Sequence, residues 1–226
     1  MPRHGGFDVL AALGDAPARR ALAPAAARLR REALALVAGE RLVHAAYSYR
    51  IVPLEGIAGE VLCADGETFA APRLLPESGE LTALACGVCS IGPALEARVG
   101  ALFAERRAAL AVALDSLGNE LLFAVSRRAQ DRILADARQR DLDMAGELRA
   151  GDPGLALDSQ ASVLRLAQAA TIGIRLNHGG MMHPVKSTSM LLGVGRELPA
   201  VRWSRCDDCA SQSRCAVPRE ARAQNA

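Results

Sequence analysis

Apolar positions at Leu29, Ala33, Leu36 and Val37 recur at helical spacing between Pro24 and Gly39, and this predicts an amphipathic helix over 24–38. From 42 to 51 the pattern changes to alternation. Tyr47, Tyr49 and Ile51 fall on one face, Ser48 and Arg50 on the other, as in a strand. Short strands are expected at 57–62 and 68–70, before Pro72 and Pro76 close the region. The run 81–86 is apolar without alternation and ends at Gly87, which fits a strand buried on both faces. Pro93 then opens a helix with a stripe of Leu95, Val99, Leu102 and Phe103.

A longer helix is predicted from 107 through 125 and on towards 138. Its stripe is read as Ala111, Asp115, Gly118, Leu122 and Val125. Glycine there permits close approach of a neighbour, whereas the Asp115 carboxylate on an apolar stripe requires a partner. Gly151-Asp152-Pro153-Gly154 forces a turn, and a helix over 158–169 follows. Segments 172–176 and 187–194 read as two strands joined by a turn over 178–184. The chain thus divides into an N-terminal helical segment (1–40), an α+β domain (41–200) and a polar, cysteine-bearing tail (201–226).

Half the residues are hydrophobic but only 3% are aromatic, so the core is built mainly from Ala, Leu and Val and suits close-packed helices. Lys and Arg number 27 against 25 Asp and Glu, spread along the chain. This balance argues against a phosphate-neutralising face and hence against a nucleic-acid partner. Charged residues interrupt each apolar run short of a membrane span, and the N-terminus makes a poor secretory signal. A cytoplasmic protein without a membrane partner is expected.

Taken in order, Asp115-Ser116-Leu117-Gly118, Asp152-Pro153-Gly154, Gln160, Ile172-Gly173-Ile174-Arg175-Leu176, Met181-Met182-x-Pro184 and Ser187-Thr188-Ser189 form a set that resembles the activation domain of cobalamin-dependent methionine synthase. The likeness runs over about 42–195. It implies a C-shaped α+β domain with a twisted antiparallel sheet that binds S-adenosylmethionine. It also implies an accessory role, supplying a methyl group when oxidised cobalamin on a partner is reductively reactivated. The implied partners are a corrinoid protein or cobalamin-dependent methyltransferase, and a reductase.

The same resemblance marks candidate ligand-binding residues. Arg149, Pro153 and Gly154 occupy the place of an Arg-x-x-Pro-Gly-Tyr loop, where Arg takes the ligand carboxylate and glycine admits the ligand close to the backbone. Here the arginine lies one residue further from the glycine, and Leu155 replaces the tyrosine. Asp115 matches an aspartate of the family. Asn177-His178-Gly179 stands where the family has Thr-Glu-Ser, exchanging a carboxylate for an imidazole. His178 and Gly179, with Met182 and His183 beyond them, are thus expected at a ligand or corrinoid. Lys186 is read as solvated.

The six cysteines supply a separate signal. Cys206-x-x-Cys209, with Cys215 five residues beyond, offers three soft ligands to one metal, and Cys86 is the expected fourth, with Cys89 and Cys63 also available. Iron–sulfur and zinc both fit this spacing. Three functions follow: an adenosylmethionine-linked partner of a corrinoid methyltransferase, an electron-transfer or metal-binding module that has lost the nucleoside, and a scaffold needing neither.

Overall fold

A computed structural model describes residues 1–9 and 23–199 of the chain. Its centre is a five-stranded antiparallel sheet in the order β1 (Arg3–Gly6), β2 (Ala46–Pro53), β6 (Glu80–Ser90), β10 (Ser187–Arg196) and β7 (Asp143–Leu148). The expected α+β class with an antiparallel sheet is therefore what the chain adopts. β6 and β10, in the middle, are buried over almost their whole length. That explains the unbroken apolar run at 81–86, because a strand covered on both faces has no solvent side to make polar.

Two cores result. On one face pack α1 (Pro24–Gly39), α2 (Ala94–Ala104) and α3 (Ala108–Arg138), with Leu102, Leu114, Leu117, Leu121 and Ile133 fully buried. On the other lie a small sheet of β3 (Gly56–Ala58), β4 (Val61–Ala64) and β5 (Glu67–Ala70), and helix α4 (Ser159–Leu166). Phe69, Leu62 and Leu148 anchor this second core. Ser48 reaches into it from β2 and donates to the Ala167 carbonyl oxygen at 2.6 Å. Tyr47 and Tyr49 pack on the first side, as the alternation predicts.

Several boundaries differ from the sequence reading for physical reasons. Residues 172–176 are not one strand. A 3-10 turn (Ala169–Ile172) comes first, then Gly173 in the left-handed region at φ 75°, then the two-residue β8 (Arg175–Leu176), which pairs with β9 (Met182–His183). The stretch 57–62 is a hairpin of β3 and β4 that reverses at Gly59, φ 61°. β1 and β7 are edge strands with short, mixed patterns that gave no strand signal. Among the described residues before 41, β1 pairs with β2, and Ala33 and Val37 of α1 are core residues.

α3 is long and apolar enough to cross a membrane by length and composition, although Asp115 and Glu120 interrupt its apolar run. Its buried residues instead pack on α1, α2 and the sheet, which makes it the central helix of the first core. The buried stripe follows Leu110, Leu114, Leu117, Leu121, Val125, Ala129 and Ile133, so Asp115 lies at its margin rather than on it.

β10 is locked to β6 most tightly at the register shift between Val194 and Gly195, where a Cβ on Gly195 would overlap the Glu80 carbonyl oxygen. Because that neighbour is backbone, it has no rotamer by which to yield. Gly195→Ala is expected to lose about 2–4 kcal/mol of stability in urea unfolding, and a variant as stable as the parent would contradict this register.

Candidate functional site

The polar side chains of interest gather where α3 meets the start of β10. Asp115, Asn119 and Ser126 lie three to four residues apart or in multiples of that spacing, so they share one side of the helix. Opposite them are Lys186 and Thr188. Lys186 is buried, contrary to the expectation that it is solvated, because its ammonium group has two partners: Asp115 Oδ1 and Asn119 Oδ1, each at 2.7 Å. The partner that Asp115 required is thus a lysine, and Asp115 itself remains about half exposed. Gly118 admits this arrangement, since a Cβ there would press on Leu95 and the Lys186 stem.

The segment leading into β10 is held from α2 as well. Val185 N–H donates to Glu96 Oε2 at 2.7 Å, and His183 Nδ1 lies 3.7 Å from Glu96 Oε1. Ser90 donates to the Lys186 carbonyl oxygen at 3.3 Å, and Ser187 and Ser90 share a hydrogen bond at 3.0 Å.

Arg149 follows the last residue of β7 and crosses to the same seam. Its Nε donates to Glu147 Oε1 at 2.8 Å, Nη1 to Thr188 Oγ1 at 3.0 Å, and Nη2 to Ser126 Oγ at 3.1 Å. The guanidinium carbon also lies 5.9 Å from the centre of the Phe123 ring. Glu147 and Arg149 project to one side because they are two residues apart, while Leu148 between them enters the second core. The pair is mostly buried, with side chains 9% and 16% exposed. Glu147, Ser126 and Phe123 are site residues that the sequence reading misses, and Thr188 enters it only within the Ser187-Thr188-Ser189 run. A Glu-x-Arg pattern at the end of a short strand was the available sign.

The turn after Arg149 is internally bonded. The Arg149 N–H donates to Asp152 Oδ2 at 3.0 Å, and Gly151 N–H to the Leu155 carbonyl at 2.9 Å. Gly154 adopts φ 92°, and a Cβ there would meet the Arg73 side chain. Pro153 is exposed, and Leu155 is a core residue of the second side, so it presents no surface comparable to the family's tyrosine. The structure thus brings Arg149 to the α3 seam while Gly154 packs towards Arg73.

His178 and Gly179 sit in an exposed turn organised by Asn177, whose Oδ1 accepts from Gly179 N at 2.9 Å and Met181 N at 3.0 Å. Gln160 donates to the Gly180 carbonyl at 2.6 Å, tying the turn to α4. Met182 packs at the rim of the second core. These residues form a neighbourhood apart from the Asp115–Lys186 and Glu147–Arg149 pairs.

Cys86 does not fit the metal site expected for it. Three residues apart on one strand, Cys86 and Cys89 point to opposite faces, and each is enclosed in a different core. Burial pushes both thiols up to about 12. No group of three or more His, Cys, Asp and Glu side chains suited to a metal occurs among the described residues. Cys206, Cys209 and Cys215 lie outside the described residues.

The fold has a counterpart among solved structures. The chain is similar to the crystal structure of the MetH reactivation domain bound to AdoHcy, with a TM-score of 0.64 and 10% sequence identity, over 88% of this chain and 80% of that one. No protein-family model matches the sequence, and no curated protein matches it.

Two outcomes test this geometry. Since removing Asp115 leaves a buried ammonium with Asn119 alone, Asp115→Ala should cost about 2–3 kcal/mol, whereas Lys186→Met, which keeps the apolar stem and leaves a carboxylate already near water, should cost about 1 kcal/mol. Urea unfolding of both variants checks the order, and the reverse order contradicts the pairing. A thiol whose folded pKa is about 12 stays protonated at pH 8 and is a poor nucleophile. Iodoacetamide at pH 8 should therefore leave Cys86 and Cys89 unlabelled in the native protein and label both in denaturant, as read by peptide mass spectrometry.

Proposed function

We propose that the chain binds S-adenosylmethionine at the α3–β7–β10 seam and acts as an accessory methyl-supplying module for a corrinoid protein or cobalamin-dependent methyltransferase. The observation that carries this reading is the Glu147–Arg149 pair, two mostly buried opposite charges on one face of a strand end. Such a pair complements a zwitterionic amino-acid head: the guanidinium meets the ligand carboxylate and the glutamate meets the ammonium group. Thr188 and Ser126 already hold the guanidinium in place, so less side-chain freedom is lost on binding. The likeness of fold to a domain bound to AdoHcy supports the same ligand class.

When bound, the sulfonium supplies a methyl group that passes to a nucleophile carried by the partner, and the thioether remains. The chain's own contribution is positional. Arg149 and Glu147 fix the amino-acid end, and the Lys186–Asp115–Asn119 cluster anchors the strand that carries Thr188. No proton transfer by a side chain of the seam is needed. The burial of Leu155 favours a second reading, in which the fold persists as a scaffold within a methyltransferase complex without the nucleoside.

Isothermal titration of the full chain with S-adenosylmethionine and S-adenosylhomocysteine separates the two. A charged hydrogen bond worth about 1.5–3 kcal/mol corresponds to roughly a tenfold to hundredfold change in affinity. Arg149→Ala and Glu147→Gln should each weaken binding by that amount, and Arg165→Ala, away from the seam, should not. Absence of binding by the parent chain would remove the first reading in favour of the scaffold.

A further inference from the structure

Beyond the seam, further along α3, a cleft of about 400 Å³ opens between the edge of the main sheet and the end of the helix. Pro2, Arg3 and His4 of the N-terminal edge form one wall, and Arg132 and Asp136 of α3 with Gln139 just past its end the other, with Tyr47 and Tyr49 of β2 between them. Ten residues separate Ser126 from Asp136, about 15 Å along a helix axis. The cleft is therefore distinct from the site considered above.

The charges in this cleft are unequal. Asp136 is the acidic side chain that lines it, is only 5% exposed, and is already matched by Arg3 at 3.0 Å and Arg140 at 3.2 Å. The Tyr49 hydroxyl adds a longer hydrogen bond to it at 3.5 Å. Burial first, and the nearby Asp136 carboxylate second, push the Tyr49 phenol up to about 12, so it remains a neutral donor. Arg132 is different: its contact is the Tyr47 hydroxyl, whose hydrogen bond holds the guanidinium above the ordinary arginine value. Two guanidinium groups thus line the cleft with one carboxylate; Arg3 is paired with Asp136, which Arg140 also reaches from outside the lining, and Arg132 has no acidic partner among the described residues. Tyr47 cannot drift away, because it is buried and its ring stacks on Phe7 at 4.6 Å and Tyr49 at 6.1 Å.

We infer that this cleft is a binding site for a small oxyanion ligand, a phosphate ester or a polycarboxylate, with Arg132 as its principal contact and Arg3 and Gln139 beside it. The volume lies within the range of small-molecule sites, and the lining offers donors and cationic groups in excess of acceptors. A planar guanidinium held by a phenol is well suited to donate to two oxygens of one anion. The site does not depend on the methyl-donor reading, and it would persist if the chain were only a scaffold.

The test is isothermal titration of the full chain with pyrophosphate and, separately, with citrate. Saturable binding of at least one probe is expected, and which one binds distinguishes a phosphate ester from a polycarboxylate. Arg132 is exposed and touches the core only at the Tyr47 hydroxyl, so Arg132→Ala should fold and should weaken binding about tenfold or more. Arg127→Ala, an exposed arginine on the same helix outside the cleft, should leave the affinity within about a factor of two and so controls for net charge. The proposal is overturned if neither probe binds saturably, or if Arg132→Ala and Arg127→Ala behave alike.

Discussion

Burial of β6 and β10 on both faces governs where anything polar can sit in this molecule. A strand sandwiched between two cores cannot carry a charged side chain along its length, because the cost of an unpaired buried ion exceeds what packing returns. Charges are therefore pushed to strand ends and to the margins of helices that cover the sheet. The start of β10 is one such place, and Lys186 enters it only because Asp115 and Asn119 receive its ammonium group. Arg149, just past the end of β7, enters the same margin because Glu147, Thr188 and Ser126 receive its five N–H groups in part.

This constraint also explains why the site is assembled from four distant stretches of chain. The seam needs α3 for its hydroxyl and amide groups, β7 for the charge pair, and β10 for the facing hydroxyl. α2 contributes Glu96, which holds the backbone at Val185 and sets where β10 begins. Each contribution is small, in the range of about one hydrogen bond. Together they fix the orientation of a guanidinium that, on a solvent-facing strand, would sample many rotamers. Preorganisation of this kind is what a binding site requires of its scaffold.

The sequence was informative where period and burial coincide. The helices at 24–39 and 108–138 and the central strand at 80–90 were legible because their apolar residues repeat at 3.6 or run unbroken. β1 and β7 were not, since an edge strand with one half-exposed face has no clean alternation to read. Among site residues, Asp115 announced itself as a carboxylate beside an apolar stripe, and Arg149 through its family resemblance. Lys186 gave the opposite impression, because a lysine after a Pro-Val turn reads as solvent-facing until its two partners are known. Ser126 carries no signal of its own, and the Glu-x-Arg pattern marks Glu147 only once the pairing of β7 with β10 sets that strand beside α3. Cys86 and Cys89 misled for a geometric reason, as a CxxC pair suited to one metal on a turn is split across two faces when the same residues are extended.

α3 links these observations. Its buried face is almost purely apolar, and two groups of polar residues at that helix meet the sites described above. Asp115, Asn119 and Ser126 meet the seam, and Arg132 and Asp136, with Gln139 just past the helix end, meet the N-terminal cleft. The groups differ in sign as well as place. In the seam each cation has an anion or amide within hydrogen-bond reach, which favours a ligand that brings both charges at once. In the cleft the one lining carboxylate is already paired with Arg3 while Arg132 leans on a phenol, which favours a ligand that brings negative charge alone. A helix that served only to fill the core would have no reason to keep either group, since a polar residue at a core margin costs packing unless its partners return the energy.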